Sequence, residues 1–242
     1  MKILSIGNSY SEDATRYLSG VAHHAGVPFK TVNLMIGGCT LARHYKNIHN
    51  DAREYGLQFN GVPTGFQVSV REALQSDEWD IVTIQQQSSN SMRAETFRPY
   101  IGELCSYIRY HAPKAKLALH QTWGYRDAVK TAEFGAASPE EMFSQVKASY
   151  EEIRAEMEIP YLVPSGQAFD LLHRWNAPCF YRDAIHASLG FGRYTLALTW
   201  FAYLTGKDIG NDSFDAFDIP VTPEERAFAI RAAQEAVAMQ KG

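Results

Sequence analysis

Five short apolar runs, at 2–6, 31–36, 80–84, 116–120 and 160–163, recur along the chain, each followed by a stretch long enough for a helix. A strand that is apolar at successive positions is buried on both faces, and parallel strands need a crossover, usually a helix, between them. The pattern predicts βαβ units: an α/β chain on a mostly parallel five-stranded sheet with helices covering both faces.

The segments between the runs carry helix punctuation. Ser138-Pro139-Glu140-Glu141 combines an N-cap serine, proline at the first helical position and glutamate three residues after the cap. Met142, Phe143, Val146, Tyr150, Ile153 and Met157 then follow at helical spacing. Thr222-Pro223-Glu224-Glu225 repeats the signature and opens a C-terminal helix whose Phe228, Ile230, Ala233 and Val237 are expected to pack on the body. The apolar stretch from Ser188 to Leu204 ends at Thr205-Gly206, a helix stop. From about 44 to 65 the sequence is polar and aromatic-rich without a clear period, and we expect an irregular insertion that shapes a cleft. With 242 residues and no internal repeat, one domain over 1–242 is expected.

Composition mainly excludes. At 45% hydrophobic and 21% charged residues, the chain is neither a disordered nor a collagen-like sequence. Its net charge of −4, with no Lys/Arg stripe, argues against nucleic acid as a partner. Cys39, Cys105 and Cys179 are odd in number, widely spaced and without a CxxC pair, which points to reduced thiols rather than a disulfide framework or a zinc site. His23-His24 and His44 with His49 lack the company of other metal ligands and read as solvated histidines. The N-terminal apolar run is too short for a signal peptide, and no segment approaches the roughly 18 apolar residues of a membrane span. A soluble cytoplasmic protein without metal, cofactor or membrane partner is the expectation; nothing specifies an oligomeric state.

In a parallel sheet, ligands bind beyond the carboxyl ends of the strands. The residues there are Gly7-Asn8-Ser9, Gly37-Gly38-Cys39-Thr40, Gln85-Gln86-Gln87-Ser88 and His120-Gln121-Thr122-Trp123, with Tyr181-Arg182-Asp183-Ala184-Ile185-His186 far downstream. A serine hydroxyl becomes a nucleophile only when a base takes its proton and a third group orients that base. Asp183-x-x-His186 supplies both for Ser9. Backbone N–H groups of Ser9, at a helix N-terminus, and of side-chain-free Gly38 could receive the oxyanion. The competing reading makes Ser9 the cap of a helix, in a capping box with Glu12; with Ser9 as the nucleophile, Ser11 or Asp13 is the residue expected to cap in its place. Cys39 offers a rival nucleophile, against the tendency of cysteine to be simply buried.

Gly7-Asn8-Ser9, then Asn33-Leu-Met-Ile-Gly37-Gly38, then Asp183-Ala-Ile-His186 fall in the order of the blocks of the SGNH (GDSL-like) hydrolases, which this chain resembles over nearly its whole length. The resemblance implies a three-layer α/β/α flavodoxin-like fold and a serine esterase. It makes Ser9 the nucleophile, Asp183 and His186 the orienting acid and base, and Ser9 and Gly38 oxyanion donors. Position 8 is Asn where the family usually has Asp. The third block, usually GxND, reads Ile84-Gln85-Gln86-Gln87-Ser88-Ser89-Asn90, so the side-chain oxyanion donor falls to Gln86 or Asn90, with Gln86 preferred for its longer arm. WDIVTIQQQS, HQTWGY and DAIHASLGFGRY are also similar to a poorly characterised bacterial subgroup of that family.

The expected reaction is hydrolysis of short-chain esters, acetyl esters of carbohydrates foremost, through an acyl-enzyme and without a cofactor. His120, Trp123 and Tyr125 end a strand on the functional side and either line the substrate pocket, an aromatic ring stacking on a sugar, or belong to the core. Two further readings stay open: a lipid or acyl-thioester hydrolase with the same triad, and a catalytically silent carbohydrate-binding module.

Overall fold

The computed structural model describes residues 1–241. All five apolar runs are strands: β1 (Lys2–Gly7), β2 (Lys30–Met35), β5 (Ile81–Ile84), β6 (Lys116–His120) and β7 (Tyr161–Val163). They pair in parallel. The sheet has seven strands rather than five, in the order β4-β3-β2-β1-β5-β6-β7. The extra pair, β3 (Tyr55–Phe59) and β4 (Val62–Val68), is added antiparallel beside β2.

Successive side chains of a strand point to opposite faces, and the core divides accordingly. Leu4 and Ile6 of β1, Val82 and Ile84 of β5 and Leu117 and Leu119 of β6 face one helix layer, while Ile3, Ile81 and Ala118 face the other. The first layer holds α3 (Leu41–Asn50), α4 (Val70–Gln75), α5 (Tyr100–His111) and α7 (Pro139–Glu156). The second holds α1 (Ser9–Thr15), α2 (Leu18–His24), α8 (Ser165–Arg174), α9 (Phe191–Thr205) and α10 (Pro223–Lys241). A short α6 (Ala128–Ala132) follows β6. No helix among the described residues is long and apolar enough to cross a membrane.

The predicted helix signals act as expected. Ser138 accepts from Glu141 N–H with Pro139 at the start of α7, Thr222 and Glu225 bond reciprocally before α10, and Gly206 closes α9 at a φ of 69°. The buried face of α10 is, however, a stripe of Ala229, Ala232, Ala233 and Ala236, with Phe228, Ile230 and Val237 only partly covered.

The 44–65 segment is not irregular. Residues from 44 to 50 continue α3, which Thr40 caps by accepting from Arg43 N–H; residues 51–54 connect it to the β3–β4 hairpin, which takes the rest. Phe59 pairs with Val62 across a two-residue loop, Asn60-Gly61, whose φ angles of 48° and 78° are those of the type I′ turn that Asn-Gly favours. Gly61 is required twice over, because a Cβ there would also lie 2.1 Å from Arg16 O. The edge strand β4 is exposed along its length, and Pro63 within it blunts further pairing. His44 is fully buried rather than solvated, 2.8 Å from the Tyr55 hydroxyl through Nδ1.

Candidate active site

The carboxyl end of β1 runs through Gly7 and Asn8 directly into α1, so Ser9 is the first residue of that helix. Capping falls to Asn8, not to Ser11 or Asp13: Asn8 Oδ1 accepts from Tyr10 N–H at 3.0 Å. Asparagine is among the best caps because its amide oxygen reaches a first-turn N–H. The hydroxyl of Ser9 is thereby free for other chemistry, and it lies 2.9 Å from His186 Nε2.

His186 sits on a loop closed by the Tyr181–Ala187 bridge. Asp183 organises this loop. One carboxylate oxygen accepts from the N–H groups of Ile185 and His186, at 2.8 and 2.7 Å, and the other from His186 Nδ1 at 2.8 Å. Burial works to raise the Asp183 pKa, but the two backbone N–H groups and the imidazole outweigh it and hold the carboxyl at about 2. An ionised Asp183 accepting from Nδ1–H leaves Nε2 unprotonated toward Ser9, the tautomer a general base requires. The loop is pinned from outside as well: Ile185 O accepts from the Tyr10 hydroxyl and from Trp123 Nε1, both at 2.9 Å, and Ala184 O from Arg126 N–H.

The second block forms a turn closed by Cys39 N–H donating to Ile36 O. Gly38 has a φ of 62° and open space where a side chain would be, a conformation glycine adopts without strain. Among the described residues neither its N–H nor that of Ser9 has a hydrogen-bond partner. Asn8 joins the blocks, donating from Nδ2 to Cys39 O at 3.1 Å and accepting from Gln85 Nε2 at 2.8 Å.

Several sequence expectations are corrected here. Gln86 is fully buried with both ends of its amide engaged: Oε1 accepts from the N–H groups of Leu41 and Gln87, and Nε2 donates to Thr96 O and Thr96 Oγ1. It therefore has no donor left for an oxyanion. Asn90 opens a 3-10 turn, its own N–H tied to Gln87. The sequence reading missed Gln87, three residues beyond the end of β5 and half-buried. Its Oε1 accepts from Ser89 Oγ and Asn90 N–H, which leaves the Nε2 amide without a partner among the described residues.

His120, Trp123 and Tyr125 are core residues rather than exposed substrate-facing ones. All are at most 2% exposed. His120 Nδ1 donates to Gln85 Oε1, Trp123 stacks on Tyr10 with ring centroids 3.9 Å apart, and the Tyr125 hydroxyl bonds Ser88 Oγ. They support the site from behind. Cys39 is buried, 3.6 Å from His44 Nδ1, and burial pushes its thiol up to about 12. Thiolate is the nucleophilic form, so Cys39 is unsuited to attack.

Cavities lie at both ends of the sheet. One of about 450 Å³, lined by Leu74, Trp79, His111 and Pro113, lies before β5 and β6, at the opposite end of the sheet from Ser9.

A family model described as "Domain of unknown function (DUF4886)" matches residues 2–236. Among solved structures, the chain is similar to a DUF4886 family protein from Bacteroides uniformis ATCC 8492, with 29% identity over 100% of this chain and 96% of the other and a TM-score of 0.90. A protein from Slackia heliotrinireducens assigned to the SGNH hydrolases matches at 23% identity, TM-score 0.59, over 82% of this chain and 95% of that one. A Clostridium thermocellum family 3 carbohydrate esterase matches at 13% identity, TM-score 0.52, over 85% and 96%. These last two likenesses concern the fold, which is the SGNH hydrolase fold expected from the order of the blocks. No curated protein matches the chain.

Proposed function

Because this chain belongs to the DUF4886 family and has the fold of the SGNH hydrolases, we propose that it is a serine esterase, hydrolysing short-chain esters, acetyl esters of carbohydrates foremost, through an acyl-enzyme on Ser9. The observation that carries the reading is the unbroken relay from Asp183 Oδ2 to His186 Nδ1, 2.8 Å, and from His186 Nε2 to Ser9 Oγ, 2.9 Å. Those separations lie within the range for proton transfer.

In this scheme His186 takes the Ser9 proton as Oγ attacks the ester carbonyl, and Asp183 stabilises the imidazolium that results. The N–H groups of Ser9 and Gly38, with the Gln87 amide in place of Gln86, receive the oxyanion. As the tetrahedral intermediate collapses, the ester C–O bond breaks and His186 returns the proton to the departing alkoxide. A water deprotonated by the same imidazole then attacks the acyl-serine and releases the carboxylic acid, regenerating Ser9.

Two points support the substrate class. The side chains of His186 and Asp183 keep 23% and 47% of their surface, so the leaving-group side opens to solvent and tolerates a bulky, hydrophilic alcohol. One fold neighbour is a family 3 carbohydrate esterase. The test is acetate release from a panel of acetylated sugars and oligosaccharides, run beside nitrophenyl esters of increasing acyl length. The proposal expects acetate release and falling rates with longer chains. Preference for long acyl groups would replace it with the lipid or thioester reading, and binding of sugars without turnover of any ester would replace it with the binding module.

A further inference from the structure

Asp13 lies one helical turn after Ser9 on α1, and its carboxylate is completely buried. A charge in such a place persists only where opposite charges and hydrogen bonds compensate it. Arg182 Nη1 donates to both carboxylate oxygens, at 2.8 and 2.9 Å, and Arg193 Nε donates to Oδ1 at 2.8 Å. Arg182 immediately precedes Asp183 in the chain. Its backbone N–H donates to His186 O at 3.0 Å, and the same Nη1 that holds Asp13 also donates to Ala187 O. One side chain therefore ties both arms of the loop carrying His186 to the helix carrying Ser9. Arg193, on α9, extends the anchorage to Asp218, which Arg16 also holds.

We propose that Arg182 and Asp13 form a positioning pair that sets the separation between Ser9 Oγ and His186 Nε2. The proposal rests on the reading of those two residues as nucleophile and base. The loop needs such a device because its regular structure is a single bridge. Tyr10, Trp123 and Arg126 hold its tip through Ile185 O and Ala184 O; Arg182 holds its root. Neither the Arg182 nor the Asp13 side chain hydrogen-bonds Ser9 Oγ or the His186 ring, so their influence is geometric. A displacement of about 1 Å between reacting groups costs on the order of 100-fold in rate.

The experiment compares Arg182→Met, Arg182→Lys, Asp13→Asn and the Arg182→Met/Asp13→Asn double variant on nitrophenyl acetate, well below each variant's unfolding temperature, with Ser9→Ala alongside. Arg182→Met is expected to lower kcat about 100-fold with KM changed by less than about 2-fold. Arg182→Lys should recover about 10-fold or more of that loss, because a single nitrogen makes all the side-chain contacts and an ammonium also carries three donors. The double variant should be no slower than Arg182→Met, as members of one unit are not additive. Wild-type kcat in folded Arg182→Met, or a raised KM at unchanged kcat, would overturn the proposal, whatever the variant's melting temperature. If Asp13→Asn does not fold, the two Arg182 variants decide alone, since that side chain keeps 27% of its surface. Wild-type turnover by Ser9→Ala would instead remove the nucleophile reading; an inert Ser9→Ala beside a fully active Arg182→Met removes only the clamp.

Discussion

Two clusters in this molecule pair a nucleophilic atom with a histidine and an oxygen partner, and they flank the same Gly38 turn. Ser9, His186 and Asp183 form one; Cys39, His44 and Tyr55 form the other. In the first the two partners meet different imidazole nitrogens, in the second both meet Nδ1, and the environments are opposite. The first lies at the exposed carboxyl rim of the sheet, and its histidine faces an ionised carboxylate. The second is sealed in the core, where burial pushes the thiol up to about 12 and the imidazole down to about 3. A nucleophile-histidine contact is thus insufficient to identify a catalytic site; access to solvent and a charged orienting partner separate the cluster proposed as catalytic from the buried one.

The strongest way to break this contrast is at its centres. Ser9→Ala and His186→Ala should each lower kcat for short acyl esters by on the order of 10⁴-fold or more, and combining them should add little, because triad members act as a unit. Steady-state kinetics on nitrophenyl acetate reads both. Asp183→Asn should cost less, about 100- to 1,000-fold, since the half-exposed carboxylate orients an imidazole that water also reaches. A loss equal to that of His186→Ala would indicate that the loop itself collapses without the carboxylate.

The sealed cluster should report on stability instead. His44 and His120 are held neutral by burial, with pKa lowered from 6.5 to about 3. The unfolded chain binds the additional protons between those values, so stability is full above about pH 6.5 and erodes as pH falls toward 3. Denaturant midpoints measured across that window should fall with pH, and less steeply in His44→Gln. The smallest effect on turnover belongs to Cys39→Ala: kcat within about 3-fold of wild type, with a stability loss of about 1–2 kcal/mol for the emptied space. Insensitivity of activity to iodoacetamide would sharpen the same point.

Much of the architecture was legible because parallel strands announce themselves as uninterrupted apolar runs. The hairpin was missed although Asn60-Gly61 is a strong turn signal; β4 is almost wholly exposed and β3 buries only Tyr55 and Gln58, so neither strand carries an apolar run. Ser9, Gly38, Asp183 and His186 could be placed because strand ends and a three-residue spacing constrain them locally. Gln86 was misjudged because its burial and its bonds to Leu41 and Thr96 depend on segments that sequence adjacency does not connect. Trp123 was ambiguous for a related reason: the same ring that could stack on a sugar stacks on Tyr10 and donates to the loop of His186. Arg182 and Asp13 were out of reach, since their pairing spans 169 positions and no pair of ordered motifs links them as the first and last blocks link Ser9 and His186.

The most direct measurement is mass-spectrometric mapping of the adduct formed with an organophosphonate ester. Serine hydrolases react with such reagents because the displaced leaving group leaves a phosphonyl serine that mimics the tetrahedral intermediate. The account predicts one phosphonyl group on Ser9, its formation abolished in His186→Ala and unchanged in Cys39→Ala. Acetyl ester hydrolysis with no adduct on Ser9, or an adduct on Cys39, would contradict it.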